Sequence, residues 1–149
     1  MIGLDDIRAA RWRIAPHIRK TPILPYGQLS SREEFGGTVT LKLELLQAAG
    51  SFKARGAMNR LLTLSEEELK RGVVTYSSGN HGQAVALTAQ RLGATAVIVV
   101  PTTAPKVKVD GARGFGAEVV FAGTTSLDRK LKAEEIAAER GLAMVPPFD

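Results

Sequence analysis

The sequence contains no cysteine among its 149 residues. Disulfides, thiolate nucleophiles and cysteine metal sites are therefore excluded from this chain, and no metal site is predicted. No apolar run approaches the roughly 18 residues that a membrane-spanning helix needs. Residues 1–8 include two aspartates where a secretion signal would be basic and then apolar, so no export signal is predicted. Together these absences favour a cytoplasmic location.

Aromatic residues are scarce, at 5% of the chain, and the basic residues are scattered along it. The 20 lysines and arginines exceed the 15 aspartates and glutamates, which gives a net charge of +5. A nucleic-acid partner would favour a clustered basic surface with aromatic rings on which bases could stack. Scattered charge indicates a mildly basic, solvated surface instead. Neither a nucleic-acid nor a membrane partner is predicted.

The second half of the chain alternates apolar runs with helical patterns. Apolar strands separated by helices are typical of a parallel sheet that is covered on both faces. The pattern therefore predicts a three-layer αβα domain of the α/β class, whose ligands collect at the carboxyl ends of the strands. The predicted strands are Val73–Tyr76, Thr95–Val100, Glu118–Ala122 and Leu142–Val145, and the predicted helices are His81–Leu92, Pro105–Phe115 and Ser126–Arg140.

The first half is less regular. Ser65 and Glu68 form a capping box that predicts the start of a short helix, which ends near Gly72. The other predicted elements are a helix over Leu4–Ile18, an extended segment Thr21–Leu24, a strand over Thr38–Leu43, and a helix over Ser51–Leu64 capped by Ser51.

Lys53 stands in the first turn of the last of these helices, in the run Gly-Ser-Phe-Lys-Ala-Arg-Gly-Ala over Gly50–Ala57. The helix macrodipole disfavours a cation there, so a neutral nitrogen would suit the position better. Small residues on both sides leave room for a bulky group to approach the backbone. By itself the run also fits an ordinary exposed lysine on a surface helix.

A second polar run, Ser-Ser-Gly-Asn-His-Gly over Ser77–Gly82, follows the first predicted strand and opens the next helix. A junction from a strand into a helix is suited to a carboxylate or a phosphate, because backbone N–H groups point at the ligand. The alternative is a loop in which serine and asparagine side chains cap the helix.

These two runs together resemble the fold-type II pyridoxal phosphate enzymes of the threonine dehydratase and serine racemase group. The resemblance covers nearly the whole chain and follows the family's order and spacing. Further matching segments are Lys20–Leu24, Ala104-Pro105 with Lys108, Gly116–Val119 and Pro146–Asp149.

The resemblance implies a role for each residue of the two runs. Lys53 would hold pyridoxal phosphate covalently and then act as the base that removes the substrate's α-proton. Phe52 would pack beside the cofactor, and Asn80 would hydrogen-bond its 3′-oxygen. Three residues would hold the substrate carboxylate at the helix N-terminus, namely Ser77, Gly79 and His81.

Ser78 bears on which reaction is carried out. Threonine dehydratases often have alanine at the matching position, whereas serine racemases have a serine that acts as a second base on the opposite face of the cofactor. This resemblance implies dehydration and deamination of L-threonine or L-serine to a 2-oxo acid and ammonia. Serine racemase and 3-hydroxyaspartate dehydratase are the alternative activities, and a non-catalytic α/β binding module is the alternative outside enzymes.

Members of this family are more than twice as long as the chain. We therefore expect residues 1–52 to be the N-terminal part of a large domain, and residues 53–149 to be the small α/β domain that carries the cofactor lysine. The chain is expected to be an N-terminal portion with little activity alone, and the full-length form is expected to be a homo-oligomer. The pair Ala48-Ala49 departs from the lysine and threonine that the family commonly has there.

Overall fold

A parallel sheet lies at the centre of the computed structural model, which describes residues 2–26, 37 and 39–147. Four of the strands in these ranges pair in the order β5-β4-β3-β6, and all of their pairings are parallel. The strands are β1 (Ile23–Pro25), β2 (Thr40–Lys42), β3 (Val73–Tyr76), β4 (Ala96–Val100), β5 (Glu118–Phe121) and β6 (Ala143–Met144). The helices are α1 (Leu4–Ile14), α2 (Lys53–Leu61), α3 (Glu66–Arg71), α4 (Asn80–Arg91), α5 (Lys106–Gly114) and α6 (Ser126–Arg140).

Helices cover both faces of this sheet, because successive side chains of a strand point to opposite faces. Val73 packs in one apolar cluster together with side chains of α2, α4 and α5. Its neighbour Val74 packs in a second cluster with Ala133 and Ile136 of α6. The predicted three-layer αβα arrangement with a parallel sheet is therefore confirmed.

The predicted elements of the second half match the structure closely. Strand β3 and helix α6 have the predicted bounds, and the other elements differ by at most one residue at either end. Helix α6 ends where Gly141 adopts a left-handed conformation with φ of 66°, which the missing Cβ makes easy. Pro105 was expected in the first turn of α5, but it precedes that helix as its N-cap residue.

Two expectations in the first half are corrected. Helix α1 ends at Ile14 rather than Ile18, since Pro16 has no backbone N–H to extend it. The predicted cap by Ser51 is wrong: α2 begins at Lys53, no side chain caps it, and Ser51 is extended two residues before it. The buried hydroxyl of Ser51 has no hydrogen-bond partner among the described residues.

The helix predicted over Ser51–Leu64 also ends earlier than expected, at Leu61. The remaining expectations of the first half are closer to the structure. Ser65 Oγ accepts from the backbone N–H of Glu68 at 3.2 Å, and the Glu68 carboxylate accepts from the N–H of Ser65 at 2.8 Å. The predicted capping box is therefore confirmed. Strands β1 and β2 pair antiparallel, apart from the main sheet. Thr38, where the second strand was predicted to begin, lies outside the described residues.

The segment before α2 is held by a buried side chain. Gln47 is only 2% exposed, and its amide Nε2 donates to the backbone oxygen of Arg19 at 2.8 Å. Its Oε1 accepts from the backbone N–H of Arg19 and of Ala48, each at 2.9 Å. These bonds fasten the N-terminal segment to the turn that leads into α2. The division into two domains at residue 53 stays a prediction.

Among the described residues, no helix combines the length and the apolar composition needed to cross a bilayer. The cytoplasmic location stays a prediction.

Gly82 allows α4 to approach the carboxyl end of β3 closely. A Cβ at this position would lie 2.5 Å from the backbone oxygen of Ser77 and 2.9 Å from Cγ2 of Ile98. Real Cβ atoms do not approach backbone oxygens so closely, so only glycine permits this packing. The position of the loop Ser77–Gly79 depends on this contact.

We expect Gly82→Ala to lower the free energy of unfolding by about 1–3 kcal/mol, because the added methyl group must displace backbone. Gly114→Ala is the matched control, since no heavy atom lies within 4 Å of a Cβ built at that helical position. This control should be neutral or stabilising by up to about 1 kcal/mol. Urea unfolding of both variants checks the difference, and equal effects would contradict the close-approach argument.

Candidate active site

Lys53 is the first residue of α2 and faces a cavity of about 340 Å³. His81 and the segment Val145–Pro147 line the same cavity. The Lys53 side chain is half-buried, and its Nζ donates to the backbone oxygen of Pro147 at 3.3 Å. Nζ also lies 5.6 Å from the ring centroid of Phe52, whose side chain is exposed. The predicted lysine is thus an amine at the wall of a cavity.

The junction between β3 and α4 lies on the other side of Pro147. Ser77, Ser78 and Gly79 are half-buried and line a second cavity of about 570 Å³, and Pro147 borders both cavities. Within the described part of the chain, no side chain caps α4, whose N-cap residue is Gly79. The alternative in which serine and asparagine cap this helix is therefore wrong, and the N-terminus of α4 is suited to an anionic group.

His81 and Asn80 face different surroundings from the two serines. His81 is buried, and its Nε2 lies 3.2 Å from the backbone oxygen of Val145. Since a carbonyl can only accept, the proton is assigned to Nε2. His81 lines the Lys53 cavity, whereas Asn80 is exposed and accepts a hydrogen bond from Lys108. The structure brings Lys53 and His81 together and brings Ser77, Ser78 and Gly79 together in the adjacent cavity.

Arg129 is a site residue that the sequence reasoning missed. It lies in the first turn of α6 and lines the second cavity beside the two serines. One terminal nitrogen donates to Ser126 Oγ at 2.9 Å, while its buried Nε has no hydrogen-bond partner among the described residues. Lys130 lines the same cavity. Only the fold brings these cations to Ser77, because about 50 residues separate them along the chain.

An ion pair fixes the helix that carries Lys53. Arg55 donates to Glu44 through two nitrogens, at 2.8 Å and 2.7 Å, in the fork geometry that makes such pairs strong. Thr21 Oγ1 also donates to this carboxylate at 2.6 Å. The hydrogen bonds from Arg55 are the main cause that lowers the pKa of Glu44 to about 2. The pair therefore joins α2 to the segment that follows β2.

The structure is thus an α/β protein in which an amine at a helix start lies beside the N-terminus of a second helix, at the carboxyl edge of a parallel sheet. This arrangement is suited to an anionic ligand. Residues 14–149 match the family described as "Pyridoxal-phosphate dependent enzyme". The chain belongs to this family, whose enzymes use pyridoxal phosphate.

Individual relatives agree with the family assignment. The chain is 43% identical over all of its 149 residues to a catabolic L-threonine dehydratase of Staphylococcus aureus (strain USA300), of which it covers 43%. It superposes on maize serine racemase with a TM-score of 0.90 and 36% identity, over 98% of this chain and 44% of that one. A pyridoxal 5′-phosphate-dependent aspartate racemase gives a TM-score of 0.89 and 41% identity, over 97% and 45% of the two chains. The chain thus spans less than half the length of these relatives.

The ion pair predicts acid sensitivity. The pKa of Glu44 falls from 4.5 to about 2 on folding, so its ionised form stabilises the folded protein above pH 4.5. That contribution is lost as the pH falls from 4.5 towards 2. Because both side chains are partly exposed, we expect it to be about 1–2 kcal/mol, below what the shift alone implies.

Glu44→Gln should therefore reduce the loss of stability between pH 5 and pH 2, as measured by urea unfolding at several pH values. Glu67→Gln is the control, because Glu67 is exposed and forms no ion pair in the described part of the chain. If Glu44→Gln loses as much stability as the wild type between pH 5 and pH 2, the ion pair does not contribute to the acid sensitivity.

Proposed function

We propose that this chain contributes to a pyridoxal-phosphate-dependent lyase that dehydrates and deaminates L-threonine or L-serine to a 2-oxo acid and ammonia. The observation that carries the proposal is the Lys53 amine at a cavity wall, separated by Pro147 from the uncapped N-terminus of α4. The name of the Staphylococcus aureus relative, an L-threonine dehydratase, supports the choice of reaction. The activity belongs to the whole protein rather than to these 149 residues alone.

The residues on and beside the Lys53 cavity fit the cofactor. Pyridoxal phosphate requires a primary amine, an apolar or aromatic neighbour for its ring and donors for its oxygens. Lys53 is such an amine, and the exposed ring of Phe52 lies beside it. Asn80 at the start of α4 offers an amide donor for the 3′-oxygen. Gly56 also lines the cavity, and because it has no side chain it leaves that space open.

The same lysine would move the proton in the reaction. When bound, the cofactor would supply an electron sink for the pair of the broken Cα–H bond. Lys53 Nζ would accept the α-proton as a general base. The proton removed from Cα balances the departing β-hydroxyl, which leaves as water, and the enamine that remains adds water as its imine tautomer and releases the 2-oxo acid and ammonia. The backbone oxygen of Pro147, which holds Nζ in this structure, limits where the amine can lie.

The substrate carboxylate would bind at the start of α4. Ser77 supplies a hydroxyl donor and Gly79 a backbone donor there. His81 would contribute through its backbone N–H in the first turn of α4, because its imidazole lies on the Lys53 cavity. Arg129 adds a cation to the same cavity as Ser77. A carboxylate bound in this cavity would be stabilised by the positive charge of the guanidinium.

A second candidate function, as a serine racemase or a 3-hydroxyaspartate dehydratase, is supported by the cavity that Ser77 and Ser78 line. Ser78 lines it, and a serine there is a potential second base for a racemase. Arg129 and Lys130 place two cations near it, which would favour a substrate with a side-chain carboxylate such as 3-hydroxyaspartate. The similarity of the chain to maize serine racemase and to an aspartate racemase supports this alternative.

The lyase proposal predicts that Lys53 is the residue that pyridoxal phosphate modifies. The protein is mixed with the cofactor and reduced with borohydride, and the labelled peptide is mapped by mass spectrometry. Label is expected on Lys53 and should be absent from Lys53→Ala. Lys70→Ala, which changes an exposed lysine on α3, is the control and should label normally. Label elsewhere, or none in the whole protein, would favour the non-catalytic α/β binding module.

Ser78→Ala separates the two reactions. If Ser78 is the second base, the variant should lose racemisation by about 100-fold or more while losing less than about tenfold in elimination. The assays follow oxo-acid release from serine, threonine and 3-hydroxyaspartate, and D-serine formation separately. Equal losses in both reactions would contradict the second-base role and leave Ser78 as a structural residue.

A further inference from the structure

Lys108 lies in the first turn of α5, and no carboxylate of the described residues forms an ion pair with it. It is the third residue of α5 and is half-buried. Its neighbour Lys106 pairs with Asp110 one turn further on. Within residues 2–26, 37 and 39–147, no ion pair involves Lys108. Since the macrodipole disfavours a cation at a helix start, this placement needs another explanation.

The contact that Lys108 makes is with the site. Its Nζ donates to Oδ1 of Asn80 at 3.1 Å, across 28 residues of sequence and between the starts of two helices. An ammonium group can only donate, so it selects the oxygen of the side-chain amide and not the nitrogen. This determines which way the Asn80 amide faces, and its Nδ2 is directed away from Lys108 with two N–H groups to donate.

We propose that Lys108 is a positioning residue that fixes the Asn80 amide so that Nδ2 donates to the anionic 3′-oxygen of pyridoxal phosphate. The inference rests on the proposed function, since it requires the cofactor at Lys53. Without the ammonium group, the exposed amide could rotate by half a turn at little cost and present its oxygen to an anionic oxygen, which is repulsive.

The test is the affinity for pyridoxal phosphate, measured by absorbance titration of the whole protein. Lys108→Met keeps the length of the side chain and removes the charge, and it should weaken binding by about five- to tenfold. Lys108→Arg, which still only donates, should restore most of the affinity. Lys106→Met is the matched control, because it removes an exposed lysine from the same turn of α5, and it should bind as the wild type does.

Two further measurements separate positioning from general stabilisation. The pH midpoint of the visible band of the bound cofactor should rise by about half a unit or more in Lys108→Met and return in Lys108→Arg, because the anionic oxygen loses stabilisation. The double variant Asn80→Ala/Lys108→Met should bind no more weakly than Asn80→Ala alone. If the loss of affinity in the double variant equals the product of the losses in the two single variants, Lys108 acts independently of Asn80. That result would overturn the inference.

Failure of this inference can be told from failure of the proposed function. A wild-type protein that takes no cofactor on Lys53 contradicts the proposed function. If the wild type takes the cofactor on Lys53, and Lys108→Met has the same cofactor affinity and the same pH midpoint as the wild type, only the role of Lys108 is contradicted. Lys108→Ala gives the same comparison if the methionine variant does not fold.

Discussion

The packing of α2 against α4 is the contact on which the site depends. Small side chains of both helices, such as Ala57 and Ala84, lie in one apolar cluster with Val73 of β3. This cluster sets the distance between the amine at the start of α2 and the uncapped start of α4. Because both helices begin at the same edge of the sheet, the cavities that they border share Pro147.

The ends of α2 and α4 are fixed by polar contacts as well as by apolar packing. Arg55 is two residues from Lys53, and its fork to Glu44 holds the first turn of α2 against the segment after β2. The buried amide of Gln47 fastens the turn before it. Gly82 lets α4 approach β3 closely enough to set the loop of the two serines. The site is thus supported by residues that do not line it.

The sequence predicted those helices and strands whose formation depends on residues close together in the chain. Apolar runs predicted the strands, and the capping box at Ser65 predicted the start of α3. The prediction from Ser51 was wrong because a capping residue type does not reveal that Phe52, and not Ser51, directly precedes α2. The approach of Arg129 to the serines and of Lys108 to Asn80 could not be predicted, because each contact joins segments that only the sheet brings together.

The central claim is that Lys53 and the start of α4 face the same cofactor. A crystal structure of the whole protein grown with pyridoxal phosphate tests this most directly. If Lys53 and the start of α4 face the same cofactor, electron density is continuous from Lys53 Nζ to the cofactor, and Asn80 Nδ2 lies within hydrogen-bond distance of the 3′-oxygen. Cofactor density at another lysine, or at Lys53 but remote from Ser77–His81, would contradict it.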